Sequence, residues 1–307
     1  MTTQASQDKV KKSGTFWGMS SLIIAIALFS TIEIASKNIA DKCSIDSYMM
    51  VFLRFFGTGL VLLACGLPGY LRKGGKLGWS DWKNFLLNGL VGITISLSFF
   101  HIAINMFENA SSSAVVFSAN AVFAIVIARF MNNEPWAAHK WAALALALGG
   151  ISLFIFEKGT PTIDALKAIL VMSLAALGFA YSVCLTRKVV NKYGATLFMG
   201  MSSLVGSLFI LPMAVAKLEG NLADEILKAW PELLYIVLIG TALAYLLYYI
   251  GLKRISAFVA SMVFFLKPGL ACILAWIIRG ESMNTWTFSG TLIVFMALCL
   301  TLINNRK

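Results

Sequence analysis

The chain has 307 residues, of which 59% are hydrophobic and 13% charged, with a mean hydropathy of +0.82. A soluble chain is nearer half apolar and a quarter charged, so water cannot solvate this much apolar surface and a bilayer must be the solvent for most of it. The net charge of +11 does not indicate nucleic acid, because the Lys and Arg residues sit in short clusters between apolar runs and not on one face or tail.

In chain order, a basic stretch (Lys9, Lys11, Lys12) precedes the first apolar run, which continues without a small-x-small cleavage pattern and so reads as a span, not a removable signal. Crossing the hydrocarbon takes about 20 apolar residues, and ten stretches meet that length: 14–37, 47–71, 83–106, 110–130, 136–156, 164–187, 195–216, 231–252, 256–278 and 284–303. Charge and turn signals separate them, among them Asp41-Lys42, Arg72-Lys73-Gly74-Gly75-Lys76, Glu108-Asn109, Asn133-Glu134-Pro135, Lys192-Tyr193-Gly194 and Arg279-Gly280-Glu281. With the amino terminus placed in the cytoplasm, the flanking Lys and Arg residues number sixteen on the cytoplasmic side and seven on the other, so both termini are expected in the cytoplasm. The eight tryptophans lie at or near span ends, as an interfacial belt requires. The five cysteines are scattered with no C-x-x-C pair, which points to neither a disulfide framework nor a metal site.

The chain also resembles itself. Moving residues 90–128 forward by 148 places Leu90 on Leu238, Gly92 on Gly240, Ile102 on Ile250, Ser113 on Ser261, Phe117 on Phe265 and Ile125 on Ile273, and one residue of slippage brings Glu134 onto Glu281. The earlier spans match more weakly, with Phe29-Ser30 near Phe179-Ala180. The expected fold class is therefore an all-α membrane protein of ten transmembrane helices in two five-helix repeats. The expected divisions are a cytoplasmic tail over 1–13, a first repeat over 14–158 and a second over 159–307. An odd number of helices per half turns the second half upside down, and inverted repeats of this kind are typical of secondary transporters with a site near the midplane.

Several segments carry a family resemblance: Phe29-Ser30-Thr31-Ile32-Glu33-Ile34-Ala35-Ser36-Lys37 at the end of the first span, Arg54-Phe55 in the second, Ala110-Ser111-Ser112-Ser113-Ala114 opening the fourth, the Glu134 turn, and Ser256-Ala257 through Pro268 followed by Glu281. In these the chain resembles the drug/metabolite transporter superfamily, in its EamA-type branch. It departs in having Phe29 where that family usually has Trp and Asn120 where a proline is common. The resemblance implies that spans one, three, four, six, eight and nine line a central cavity and that spans five and ten sit behind it, near the repeat interface.

A charge at the bilayer centre costs about 2.5–3.5 kcal/mol on insertion scales, so such a residue faces a cavity or a partner. Lys267, deep in the ninth span and followed by Pro268, is the first candidate for contact with a solute or coupling ion; its alternative role is to pin helices together against an acid. Glu33 is the one carboxylate well inside a predicted span, and could instead reach the headgroups. Arg54 is expected to snorkel outward in a structural role. His101 and Asn105, four residues apart, share a helical face, while Asn120 occupies the repeat position of Pro268. Tyr181 and Tyr249 are supporting candidates, since aromatic residues at helical spacing more often pack than bind.

An acid and a base in one cavity suit a zwitterion such as an amino acid, which makes a small-molecule solute and the lipid bilayer the expected partners. Small residues opening spans four and nine (Ala110 to Ala114; Ser256, Ala257, Ala260, Ser261) would make spans 3–4 and 8–9 tight hairpins able to rock as units. An intramembrane enzyme is disfavoured: H-E-x-x-H, G-x-S-x-G and G-x-x-x-x-G-K-[ST] are all absent. No cofactor or metal is expected, and transport would draw on a gradient, an exchanged solute or downhill flow. The setting is a cell (plasma or inner) membrane, with the protein a monomer or homodimer. Alternatives are a transporter of an organic anion such as a sugar phosphate, which a basic residue in the ninth span would suit, or a receptor or assembly factor that transports nothing.

Overall fold

Hydrocarbon offers no hydrogen-bond partners, so a chain this apolar must satisfy its backbone within itself, and the helix does so segment by segment. The computed structural model describes residues 2–132, 138–218, 220–252, 254 and 266–300. Among these residues eight helices are long and apolar enough to cross a membrane: α1 (Phe16–Lys42), α2 (Ser47–Arg72), α3 (Trp79–Met106), α4 (Ala110–Met131), α5 (Ala138–Phe156), α6 (Ile163–Tyr193), α7 (Ala195–Ala216) and α8 (Trp230–Gly251). Two shorter ones follow, α9 (Lys267–Arg279) and α10 (Thr285–Leu300). The Glu134 turn, the match of Glu134 to Glu281, and Ser256, Ala257, Ala260 and Ser261 lie outside the described residues.

Two boundaries differ from the sequence reading. Helix α1 runs through Asp41-Lys42, and α6 runs on to Tyr193, because charges that end an apolar run need not end a helix. The α6–α7 junction is the single residue Gly194 at φ +76°, a left-handed conformation that glycine adopts without a Cβ clash. Asp46 caps α2 by accepting from Tyr48 N–H at 2.8 Å, and Thr162 caps α6 through Ala165 N–H at 3.1 Å.

The packing is nearly unchanged when the halves are exchanged. Helix α2 lies on α7 and α5 on α10; α3 packs on α6 and α7, as α8 packs on α1 and α2; α4 meets both α6 and α9. The internal match extends to an unusual backbone feature. Residues Asn88–Ile95 of α3 and Tyr235–Leu243 of α8 are both π-helical, and a shift of 148 lays one stretch over the other. Gly92 and Gly240 fall inside them. The α3/α7 crossing is backbone to backbone, since a Cβ on Gly206 would come within 2.7 Å of the Gly89 carbonyl. Its counterpart is the α8/α2 crossing, where the Thr58 hydroxyl donates to the Val237 carbonyl at 3.2 Å. Behind this core, α5 and α10 touch at Gly150 and Gly290, as the resemblance implied.

Candidate functional site

Two interruptions of helix and one helix start meet around the centre. In α1 the regular bonding breaks at Ser30-Thr31: the Ser30 hydroxyl donates to the Ile26 carbonyl at 2.8 Å and the Thr31 hydroxyl to the Leu28 carbonyl at 2.7 Å, the back-bonding that bends helices. The second half of α1 begins at Ile32, which puts Glu33 in its first turn, where a carboxylate is favoured by the exposed N–H groups. In α4 a turn at Ala119 separates two helical stretches. In α9 the helix starts at Lys267 with Pro268 in its first turn, where a missing N–H costs nothing. The same Ser30 hydroxyl also reaches the Lys267 carbonyl at 3.3 Å, joining α1 to α9.

Across this junction Lys267 Nζ donates to Glu33 Oε1 at 2.8 Å, with both residues buried. The ammonium also lies 5.1 Å from the centre of the Phe117 ring, a cation–π contact strengthened when dry. Glu33 Oε2 is buried and has no hydrogen-bond partner among the described residues. The two deep charges singled out from sequence are therefore brought together, although 234 positions separate them.

Arg54 overturns the expectation of an outward-pointing residue: it is only 4% exposed. Its Nε donates to Thr241 Oγ1 at 2.8 Å, and one terminal nitrogen lies 3.4 Å from His101 Nε2. The guanidinium faces the Phe55 and Phe100 rings at 4.8 and 5.9 Å, and no carboxylate pairs with it among the described residues. Thr241, its anchor, belongs to the π-helical stretch of α8. Phe100 stacks edge-on against Phe117, with ring centres 4.6 Å apart, so one aromatic pair lies beneath both buried cations.

The other candidates lie at varying distances from this cluster. His101 belongs to it through Arg54. Asn120 is buried, but its amide donates to the Phe117 carbonyl of its own helix at 2.7 Å; it helps to close the α4 turn that presents Phe117. Tyr249 is buried beside Tyr245 and Tyr248, and Tyr245 in turn meets Phe29 with ring centres 5.1 Å apart. Asn105 and Tyr181 lie away from the centre, in recesses at opposite ends of the molecule. Tyr181 lines one of about 450 Å³ with Lys83, Asn84, Met131, Lys188 and Lys192, at the end where α1 begins (the proximal end). Asn105 lines one of about 390 Å³ with Lys37, Asp41, Cys43 and Ser44, at the opposite, distal end.

The distal end is tied by polar contacts. Glu281 accepts from the Ala110 and Ser111 N–H groups at 2.8 and 3.0 Å, capping α4 from another segment of chain, and from Arg279 Nε at 3.1 Å. Arg279 also pairs with Asp41 at 2.9 Å. Glu157 takes the N–H groups of Glu108 and Asn109. On the helix Leu222–Lys228, contact with Lys228 and then the Ser44 N–H hold the Glu225 carboxyl below its usual range. Sequence reasoning missed Thr241 and the direction of Arg54. The available signal was that Arg54 lies about 10 Å inside its span, counting 1.5 Å per residue.

An all-α membrane protein made of a duplicated helical unit, with charged side chains sealed at its centre between two recesses, is built as a transporter. The EamA-like transporter family pattern matches twice, over residues 16–156 and 166–303. The chain belongs to that family. An uncharacterized transporter of Clostridium kluyveri is 27% identical over 93% of both chains. Protein PecM of Dickeya dadantii is 27% identical over 84% of this chain and 85% of its own. The uncharacterized inner membrane transporter YicL of Salmonella typhimurium is 24% identical over 94% and 96%. One solved crystal structure superposes with a TM-score of 0.64 over 96% of this chain and 99% of its own, at 16% identity, and so shares the fold.

Proposed function

We propose that this membrane transporter carries an amino acid or a related zwitterion, by alternating access through the central cluster, with no chemical step. The observation that carries the reading is the buried Glu33–Lys267 pair, where the break in α1 meets the start of α9. A buried ion pair contributes little net stability compared with an apolar replacement, and its position at a helix break and a helix start suits a solute site. The amino acid leaves the cell, both termini face the cytoplasm, and a gradient, an exchanged solute or downhill flow drives the flux. The membrane is the plasma or inner membrane, as the name of the Salmonella relative says of that protein. A second reading, an organic anion such as a sugar phosphate, is favoured by Arg54, which leaves the cluster with more positive than negative groups.

Purified chain in liposomes loaded with the proteinogenic amino acids tests the first reading, with efflux followed by mass spectrometry. At least one amino acid is expected to leave faster than from protein-free liposomes. The rate should fall about a hundredfold in Lys267→Met, the scale for removing one partner of a buried charged pair. Release of no amino acid above background, or an unchanged rate in the variant, contradicts it.

A further inference from the structure

We infer that Arg54 is the carboxylate anchor of the central site, so that the solute carries a carboxylate on Arg54 and an ammonium toward Glu33; this rests on the amino-acid reading above. Two polar groups in the cluster have no hydrogen-bond partner among the described residues, and they have opposite sign. One is the outer fork of Arg54: its Nε is fixed by Thr241 and one terminal nitrogen lies beside His101, while the other makes no hydrogen bond. The second is Glu33 Oε2, sealed from solvent with no donor. Lys267, the residue sequence reasoning would give to the anion, is already held by Glu33 and by the Phe117 ring. It is therefore the neutralised cation, and Arg54 is the open one.

A buried charge lacking a counter-ion is costly, and a bound carboxylate removes that cost at Arg54. The planar guanidinium chelates a carboxylate through two parallel N–H bonds, which an ammonium cannot do. The Thr241 bond leaves this fork fixed in orientation, and His101 crowds one side of it. Thr241 is placed by the π-helical stretch Tyr235–Leu243, a backbone widening that recurs at functional sites. At that stretch a Cβ on Gly240 would meet Ile32 and Tyr235 at 3.7 Å, an ordinary contact, against 2.6 Å from Ser182 at the equivalent Gly92. The Arg54 donor left without a partner among the described residues thus lies on the α8 side of the cluster. Opposite it, Glu33 Oε2 accepts the ammonium of the same solute.

The test is a competition within one preparation. Proteoliposomes of the full chain are loaded with an equimolar mixture of the proteinogenic amino acids, their primary amides and glucose 6-phosphate, at mildly acidic pH where the amides stay protonated. Efflux is read by mass spectrometry after subtraction of protein-free liposomes. The unmodified chain is expected to release at least one acid and to retain its amide. In Arg54→Gln that release falls about a hundredfold. In Arg54→Lys, which keeps the charge and guards against a simple folding failure, the half-saturating concentration of the acid rises about tenfold or more, because a single ammonium replaces the fork. Equal release of acid and amide by the unmodified chain overturns the assignment of Arg54 and leaves the amino-acid reading standing. Release of glucose 6-phosphate alone, or of nothing, overturns both.

Discussion

Lys267 and Glu33 hold one another in a place where neither is tolerable alone. Breaking a buried pair by removing one partner costs about 3–5 kcal/mol, whereas replacing both by neutral groups of similar volume is often harmless. Lys267→Met is therefore expected to lower the melting temperature in detergent markedly, as is Glu33→Gln to a smaller extent, because the amide oxygen can still accept from the Lys267 ammonium whereas Met leaves the Glu33 carboxylate with no partner at Oε1. The double variant should regain most of the lost stability while remaining inactive in the flux assay. Additive losses in the double variant would show that the two residues do not interact. The neighbouring Arg54 obeys a different rule: its partners are a hydroxyl, an imidazole and two aromatic rings, so no second substitution can rescue its loss by removing a counter-charge.

At the scale of elements, the two π-helical stretches and the Glu281 cap do the positioning. Glu281 reaches from the α9–α10 connection to satisfy N–H groups at the start of α4, groups that a helix cannot satisfy internally. Loss of a cap costs about 0.5–2 kcal/mol. Glu281→Ala is accordingly expected to speed amide hydrogen exchange in the peptide that opens α4, while peptides at the Asp81–Tyr193 contact (2.7 Å), at the proximal end, stay unchanged. Uniform acceleration across the molecule would mean that Glu281 stabilises the whole fold and not this end of it. Much of this level was legible beforehand. Apolar length marked the spans, and the shift of 148 that aligns Leu90 with Leu238 also aligns the π-helical stretches. What could not be read was rotation and pairing. Nothing in the sequence around Arg54 fixes which way its helix turns that face, and no periodic signal connects Glu33 with a lysine in the other half. The break at Ser30-Thr31 was equally hidden, since Ser and Thr are compatible with a continuous span and bend it only through local back-bonding.

Considered whole, the molecule is two copies of one helical unit packed so that α2 on α7, α5 on α10 and α4 on α9 each join equivalent helices across the halves. In the proposed alternating access such a body exchanges the roles of its two ends by moving one half against the other, and the recesses beside Tyr181 and Asn105 lie at those two ends. The cluster between them is closed to both. The account therefore turns on whether the interior around Glu33 is reached by water from each side of the membrane in turn. Ser36, one turn beyond Glu33 and buried with an unpartnered hydroxyl, reports on this with little disturbance. Ser36→Cys, placed in a chain whose five native cysteines have been replaced and whose transport is retained, is exposed to a membrane-impermeant maleimide from one side or the other of oriented vesicles. Labelling from both sides, slowed by the transported solute, is the predicted result; labelling from one side only, or from neither, contradicts the account.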